Sequence, residues 1–149
     1  MPDVLVIMGS RSDEETVDKA CEALEQFGIT YQKTVCSAHR NPEALYETAS
    51  GAEGKGFEVI IAAAGMAAAL PGVVAALTPL PVIGVPCKSK NLEGLDALLS
   101  IVQMPPGVPV ATVAIDGARN AGILAAEILG VKYPEIRQKI IDYKNSLKQ

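Results

Sequence analysis

The chain has 149 residues, a length that predicts a single domain over residues 1–149 with one sizeable hydrophobic core. Hydrophobic residues make up 49% of the chain and aromatic residues only 4%, so we expect a closely packed core of alanine, valine, isoleucine and leucine. The formal net charge is −4 and the sequence contains no basic stripe, which argues against a nucleic-acid-binding surface.

Strand-like and helix-like segments alternate along the chain. In chain order the first half predicts a strand over Val4–Met8, a helix capped at Ser12 or Asp13 and stopped by Gly28, a strand over Ile29–Cys36, a helix over Asn41–Gly54 and a strand over Phe57–Ala63. The second half predicts a short helix over Leu70–Leu77, a strand over Pro81–Pro86, a helix over Gly94–Val102, a strand over Val108–Ile115, and helices over Ala118–Leu129 and Pro134–Leu147. The alternation predicts an α/β fold of three layers (α/β/α), flavodoxin-like or Rossmann-like, with a five-stranded parallel sheet. The apolar side of the C-terminal tail helix must pack on this subunit or on a neighbour.

The longest uncharged stretch, Val59–Cys87, has the length of a membrane span, but four prolines interrupt it. Two buried strands and a short helix explain it better, so we expect no membrane partner. The N-terminus lacks the basic start and long apolar core of a signal peptide. Three cysteines without metal-ligand spacing are expected to be reduced core thiols of a cytoplasmic protein, namely Cys21, Cys36 and Cys87.

The turn after the first predicted strand has the features of a phosphate site. Gly9 permits a tight turn, and Ser10 and Ser12 offer hydroxyl groups. The helix that follows offers free N–H groups at the positive end of its dipole, and Asp13 is placed to accept hydrogen bonds from sugar hydroxyls. Serines at a helix start also serve as simple caps, and this alternative stays open.

The second turn, Ser37–Arg40, contains the single histidine of the chain, His39. Arg40 is suited to grip a phosphate with two hydrogen bonds, Ser37 adds a hydroxyl, and His39 is suited to give and take a proton near neutral pH. Because strands one and two should be neighbours, the two turns would lie side by side and bind a small phosphorylated sugar or nucleotide. A surface-loop histidine without a chemical task is the alternative.

The third loop, Ala63–Gly72, is rich in very small residues. Such a loop lets the backbone approach a ligand closely, which makes Gly65 and Leu70 candidate binding residues. Close packing of helices would use the same small residues, and both explanations stay open.

At these turns the chain resembles the PurE family of de novo purine biosynthesis. The matching segments are Gly9–Asp13, Ser37–Arg40, Leu70–Gly72, Leu80–Pro86, Gly94–Asp96, Leu99–Pro105, Gly107–Thr112 and Asn120–Ala121. The resemblance is to the bacterial mutase type, and it implies conversion of N5-carboxyaminoimidazole ribonucleotide to 4-carboxy-5-aminoimidazole ribonucleotide. It also implies that the reaction proceeds by decarboxylation and recarboxylation in a closed pocket, with no metal and no organic cofactor, in a homo-octamer.

The resemblance assigns roles to individual residues. It implies that His39 shuttles the proton, that Asp13 holds the ribose, and that the phosphate and sugar are surrounded by Ser10, Ser37 and Arg40. Three positions depart from the family pattern: glycines are usual at Ala63 and Met66, and a second histidine at Ala69. Two alternatives therefore stand beside the mutase: a PurE-like enzyme for another nucleotide carboxylate, and a non-catalytic nucleotide-binding homologue.

Overall fold

The computed structural model describes residues 3–148 and contains five strands and six α-helices in the predicted alternation. In chain order these are β1 (Asp3–Met8), α1 (Glu14–Gln26), β2 (Thr30–Val35), α2 (Pro42–Gly51), β3 (Phe57–Gly65), α3 (Leu70–Leu77), β4 (Val82–Cys87), α4 (Leu95–Val102), β5 (Ala111–Thr112), α5 (Ala118–Gly130) and α6 (Pro134–Ser146). Short 3-10 helices over Arg11–Asp13 and Glu53–Lys55 precede α1 and follow α2.

All strand pairs are parallel, and the strand order across the sheet is β2-β1-β3-β4-β5. The predicted fold class and the predicted neighbourhood of the first two strands are confirmed. Met8, the last residue of β1, pairs with Val35 on one side and with Ala63 on the other. The first three strands therefore end at nearly the same level, on the side of the sheet where the carboxyl ends of the strands lie.

The sheet separates two hydrophobic clusters, one on each face. Helices α1, α5 and α6 cover one face, and α2, α3 and α4 cover the other. Successive strand residues point to opposite faces, so Val6 packs with the first group and Ile7 with the second. The tail helix α6 contributes Ile136 and Ile140 to the first cluster, which shows that its apolar side packs on this subunit.

One of the two edge strands of the sheet is shorter than the sequence predicts. The predicted fifth strand, Val108–Ile115, was too long, because only two residues of β5 pair with β4. Pro109 has no N–H for the ladder, and Asp116, with a left-handed φ of 58°, turns the chain toward α5. On the other edge, the residues of β2 are half-buried or exposed, and Lys33 forms ion pairs with Glu14 (2.9 Å) and Asp18 (2.7 Å).

The helix predicted to run to Gly54 ends earlier, and α2 stops at Gly51. The chain tightens there into a 3-10 helix, with the Lys55 N–H bonded to the Ala52 carbonyl, before Gly56 turns it with a φ of 94°. The uncharged stretch 59–87 consists of β3, α3 and β4, as expected. Within residues 3–148, no helix is long and apolar enough to cross a membrane.

Small residues let α1 and α5 approach closely, and this contact is testable. A Cβ added at Gly122 would lie 2.6 Å from the Ala20 carbonyl oxygen and 2.8 Å from the Ala23 Cβ. Because a backbone atom cannot yield as a flexible side chain does, we expect Gly122→Ala to lower the free energy of unfolding by about 1–3 kcal/mol. Urea denaturation measures this change.

The matched control is Gly51→Ala in α2, where an added Cβ would meet no atom within 4 Å. That variant should be as stable as the parent or more stable, by up to about 1 kcal/mol, because alanine favours a helix over glycine. Equal effects of the two substitutions would contradict the close-contact explanation.

Candidate functional site

A cavity of about 450 Å³ lies at the carboxyl ends of β1, β2, β3 and β4. In parallel sheets this edge is where ligands bind, because the turns after neighbouring strands face a common crevice. Every site residue predicted from the sequence lines this cavity, namely Ser10, Ser12, Asp13, Ser37, His39, Arg40, Gly65 and Leu70. Residues far apart in the chain are thereby brought together as the strand order required.

The first turn, after β1, presents two serines and a carboxyl group to the cavity. The Ser10 Oγ accepts the Ser12 N–H at 3.3 Å and lies 3.0 Å from the Ser12 Oγ. Ser10 is thus the N-cap of the 3-10 helix, so capping and cavity lining are combined in one side chain. The prediction that the Ser12 or Asp13 side chain caps α1 was wrong: Asp13 occupies the N-cap position but makes no capping hydrogen bond.

The Asp13 carboxyl group is half-buried between polar and acidic neighbours. Burial raises the pKa of this carboxyl above its ordinary value, and the charge of Asp116 acts in the same direction. A hydrogen bond with the Cys87 thiol favours the ionised carboxylate and partly opposes the rise in pKa. Burial, followed by the charges of Asp13 and Asp116, raises the pKa of Cys87, so this thiol keeps its proton and serves as a donor.

The second turn, after β2, is held by its own hydrogen bonds. The Ser37 Oγ accepts the Arg40 N–H at 3.1 Å, and the Ser37 carbonyl accepts the Asn41 N–H at 3.0 Å. Asn41 then caps α2 through its side-chain oxygen, which accepts the Ala44 N–H at 3.2 Å. Arg40 therefore stands one residue before the positive end of a helix dipole, a favourable place for an anion.

His39 is exposed at the cavity wall and lies outside the hydrophobic core. Its Nε2 lies 3.0 Å from the Ala67 carbonyl oxygen, which comes from the loop between β3 and α3. A carbonyl only accepts, so this contact places a proton on Nε2 and leaves Nδ1 as the acceptor of the neutral ring. The second and third loops are thus joined at the imidazole.

The third loop combines close packing with cavity lining. A Cβ at Gly65 would lie 3.3 Å from the Cys87 carbonyl oxygen, so this glycine lets β3 and β4 approach each other. Met66 follows with a left-handed φ of 53°, lines the cavity and is 59% exposed. Ala69, at the start of α3, offers no side-chain cap there. Both explanations for the small residues therefore apply, at different positions.

Sequence reasoning missed the contribution of the turn after β4. Lys88 and Ser89 line the cavity, and the Lys88 N–H donates to Oδ1 of Asp116 at 2.9 Å. The signal was present, since these two polar residues follow the fourth predicted strand as Ser37 follows the second. Asp116 was harder to predict. The sequence indicated a strand up to Ile115, whereas β5 ends at Thr112 and the chain then turns back to bond Lys88.

The described part of the chain contains no group of three or more histidine, cysteine, aspartate or glutamate side chains arranged to hold a metal. The cavity instead combines serine hydroxyls, one carboxyl, one imidazole and the cationic side chains of Arg40 and Lys88. This defines an α/β protein with a strand-end site for a small anionic ligand that carries hydroxyl groups.

The chain belongs to the AIR carboxylase family, whose model matches residues 3–149. It is 61% identical over 149 residues to the N5-carboxyaminoimidazole ribonucleotide mutase of Thermotoga maritima, covering 100% of this chain and 87% of that protein. It is 57% identical over 146 residues to the mutase of the same name from Mycobacterium tuberculosis, covering 98% and 84%. The crystal structure of Treponema denticola PurE matches with a TM-score of 0.88 at 31% identity, covering 98% of this chain and 91% of that one. The resemblance predicted from the motifs is confirmed.

The half-buried carboxyl group of Asp13 predicts a pH-dependent cost in stability. Because its pKa is raised in the folded state, the folded protein holds this proton more tightly than the unfolded chain does. The ionised group therefore destabilises the fold above its folded pKa, and this cost disappears as the pH falls below the ordinary value of 3.8. We expect Asp13→Asn to have a higher Tm than the parent near neutral pH, with the difference shrinking in acid.

Thermal unfolding over a pH series measures this difference. Asp142→Asn on the exposed face of α6 is the matched control and should leave the pH dependence unchanged. A Tm of Asp13→Asn below that of the parent near neutral pH would show that the carboxylate stabilises the fold.

Proposed function

We propose that the chain is an N5-carboxyaminoimidazole ribonucleotide mutase, an isomerase that forms 4-carboxy-5-aminoimidazole ribonucleotide in purine biosynthesis. One observation carries the proposal: the turns with Asp13 and with His39 and Arg40 meet in a single cavity of nucleotide size. The names and identities of the curated relatives, which align over nearly the whole chain, support the same activity.

In the proposed reaction one proton is given and one is taken back. Cleavage of the bond between N5 and the carboxyl carbon releases carbon dioxide and needs a proton on the amine nitrogen. Attack of imidazole C4 on carbon dioxide forms the new carbon–carbon bond and releases the C4 proton. We assign both transfers to His39, which starts as the imidazolium, gives one proton to the amine nitrogen and then takes the C4 proton. Nδ1 is the atom that we assign to the transfers, because Nε2 is bonded to the Ala67 carbonyl.

We assign binding of the phosphate and ribose to the first two turns. Arg40 and the hydroxyls of Ser10, Ser12 and Ser37 suit the phosphate, and the two helix starts add a favourable dipole. The Asp13 carboxylate suits the ribose hydroxyls, since it lines the cavity and carboxylate oxygens accept several hydrogen bonds.

We assign contact with the imidazole ring of the substrate to the third loop, where Gly65 and Leu70 line the cavity. Ala38, Ala64 and Ala67 add further apolar lining. Apolar walls of this kind favour retention of carbon dioxide between the two steps and keep water away from it.

We further infer a single-domain, cytoplasmic protein that assembles into a homo-oligomer, an octamer by resemblance to the family. Three free, buried cysteines support a reducing compartment. Exposed apolar side chains along α4 support assembly, since Leu95, Leu99 and Val102 are 52%, 49% and 47% exposed in the single chain.

The test is turnover of purified protein on N5-carboxyaminoimidazole ribonucleotide, followed by absorbance, for the parent and for His39→Asn. We expect the parent to turn over and the variant to lose about 10²–10⁴-fold in kcat, because asparagine cannot exchange protons near neutral pH. An unchanged Tm and an unchanged Kd for the product would show that the fold and the cavity are intact, as expected for an exposed side chain.

Full activity of His39→Asn would refute the proton-transfer role. Binding without turnover in the parent would instead favour a non-catalytic homologue. Absence of both binding and turnover in the parent would favour another nucleotide carboxylate as the substrate.

A further inference from the structure

We propose that Lys88 binds the carboxylate that the reaction moves, an inference that rests on the proposed function. Lys88 lies directly after β4 and lines the cavity beside the third loop, which the His39 imidazole reaches through its contact with the Ala67 carbonyl. Neither the motifs of the sequence nor the assigned roles of the other lining residues account for a lysine there.

The charges of the ligand and of the cavity support this assignment. The proposed substrate and product each carry two anionic groups, a phosphate and a carboxylate, at opposite ends of the ribose and imidazole. Of the described residues that line the cavity, Arg40 and Lys88 are the two with a permanent positive charge. Neither side chain forms an ion pair with another residue in the range 3–148, so both are available to a ligand.

The positions of the two cations suit one anion each. Arg40 follows β2 and Lys88 follows β4, and β1 and β3 lie between these strands. Three interstrand spacings separate the two strand ends by about 14 Å. Because the sugar and the base separate the phosphate from the carboxylate, a nucleotide lying across the sheet edge would place one anion at each side.

The surroundings of the two cations decide which anion each one takes. Beside Arg40 stand the Ser37 hydroxyl and the capped start of α2, a set of donors suited to the several oxygens of a phosphate. Lys88 has Ser89 as its polar neighbour in the lining, a smaller donor set that suits a carboxylate. A lysine ammonium also acts as a compact charge that follows a group over a short path, which a rigid guanidinium fork does less well.

The backbone at Lys88 is held in place by Asp116. The Lys88 N–H donates to Oδ1 of Asp116 at 2.9 Å, while the Asp116 N–H donates to the Pro86 carbonyl at 2.8 Å. Asp116 adopts a left-handed conformation with a φ of 58°, which is unfavourable for a residue other than glycine. This pair of bonds fixes the point from which the lysine side chain leaves the sheet edge.

An ammonium in this place discriminates between the ligands of the reaction. It attracts the carboxylate whether that group is attached to N5 or to C4, but it gains nothing from neutral carbon dioxide. Removing the charge should therefore weaken binding of the carboxylated nucleotide and leave 5-aminoimidazole ribonucleotide, which has the phosphate alone, almost unaffected.

The experiment measures the Kd of both nucleotides, 4-carboxy-5-aminoimidazole ribonucleotide and 5-aminoimidazole ribonucleotide, by calorimetry. For Lys88→Met we expect the Kd of the carboxylated nucleotide to rise about tenfold or more, because a hydrogen bond to a charged group is lost, and the Kd of the other to change less than about twofold. Arg40→Met should weaken both nucleotides by similar factors. Lys88→Arg keeps the charge and should retain most of the affinity.

The matched control is Lys90→Met, which removes a nearby exposed lysine that does not line the cavity. This variant should bind both nucleotides as the parent does. An equal loss for both nucleotides in Lys88→Met, or no loss for either, would overturn the assignment while the parent remains an active mutase. A parent that neither binds nor converts these nucleotides would overturn the proposed function and this inference together.

Discussion

The parallel pairing of β1 with both of its neighbours is the constraint on which the site depends. Met8 pairs with Val35 and with Ala63, so three strands end together and their turns must share one edge. Since β4 continues this arrangement beside β3, with Gly65 opposite Cys87, a fourth turn joins them. Residues that share no local sequence relation therefore become neighbours through backbone hydrogen bonds alone.

Local hydrogen bonds hold the turns without using most of the chemically active side chains. Ser10 and Ser37 bind backbone N–H groups of their own turns, which fixes the chain there. The Asp13 carboxyl group and the Arg40 side chain line the cavity beside them. The half-buried carboxyl group of Asp13 has no cationic partner among the described residues, and its burial makes it harder to ionise.

Much of this arrangement could be predicted from the sequence. The apolar runs predicted the order of strands and helices, and the expected neighbourhood of strands one and two predicted the meeting of the first two turns. The lengths of β5 and α2 could not be read in the same way. The length of β5 is limited by Pro109 before it and by the turn at Asp116 after it. The end of α2 is followed by the turn at Gly56.

Individual side-chain partners were beyond sequence reasoning for a physical reason. Ala67, whose carbonyl contacts His39, follows Met66, which has a left-handed conformation that no propensity assigns to methionine. The pairing of Asp13 with Cys87 joins the ends of strands that are not adjacent in the sheet. Both require the coordinates of two loops at once.

The two margins of the sheet restrict how copies of this chain are able to associate. At one margin β5 offers only two paired residues, and at the other β2 displays Lys33 held between two acidic side chains of α1. The shortness of β5 and the charge of Lys33 on β2 both disfavour the addition of a strand from another molecule. Growth of the sheet from molecule to molecule, the first step of fibrous aggregation, is thus hindered at both ends, and contact between copies is directed to helices and loops.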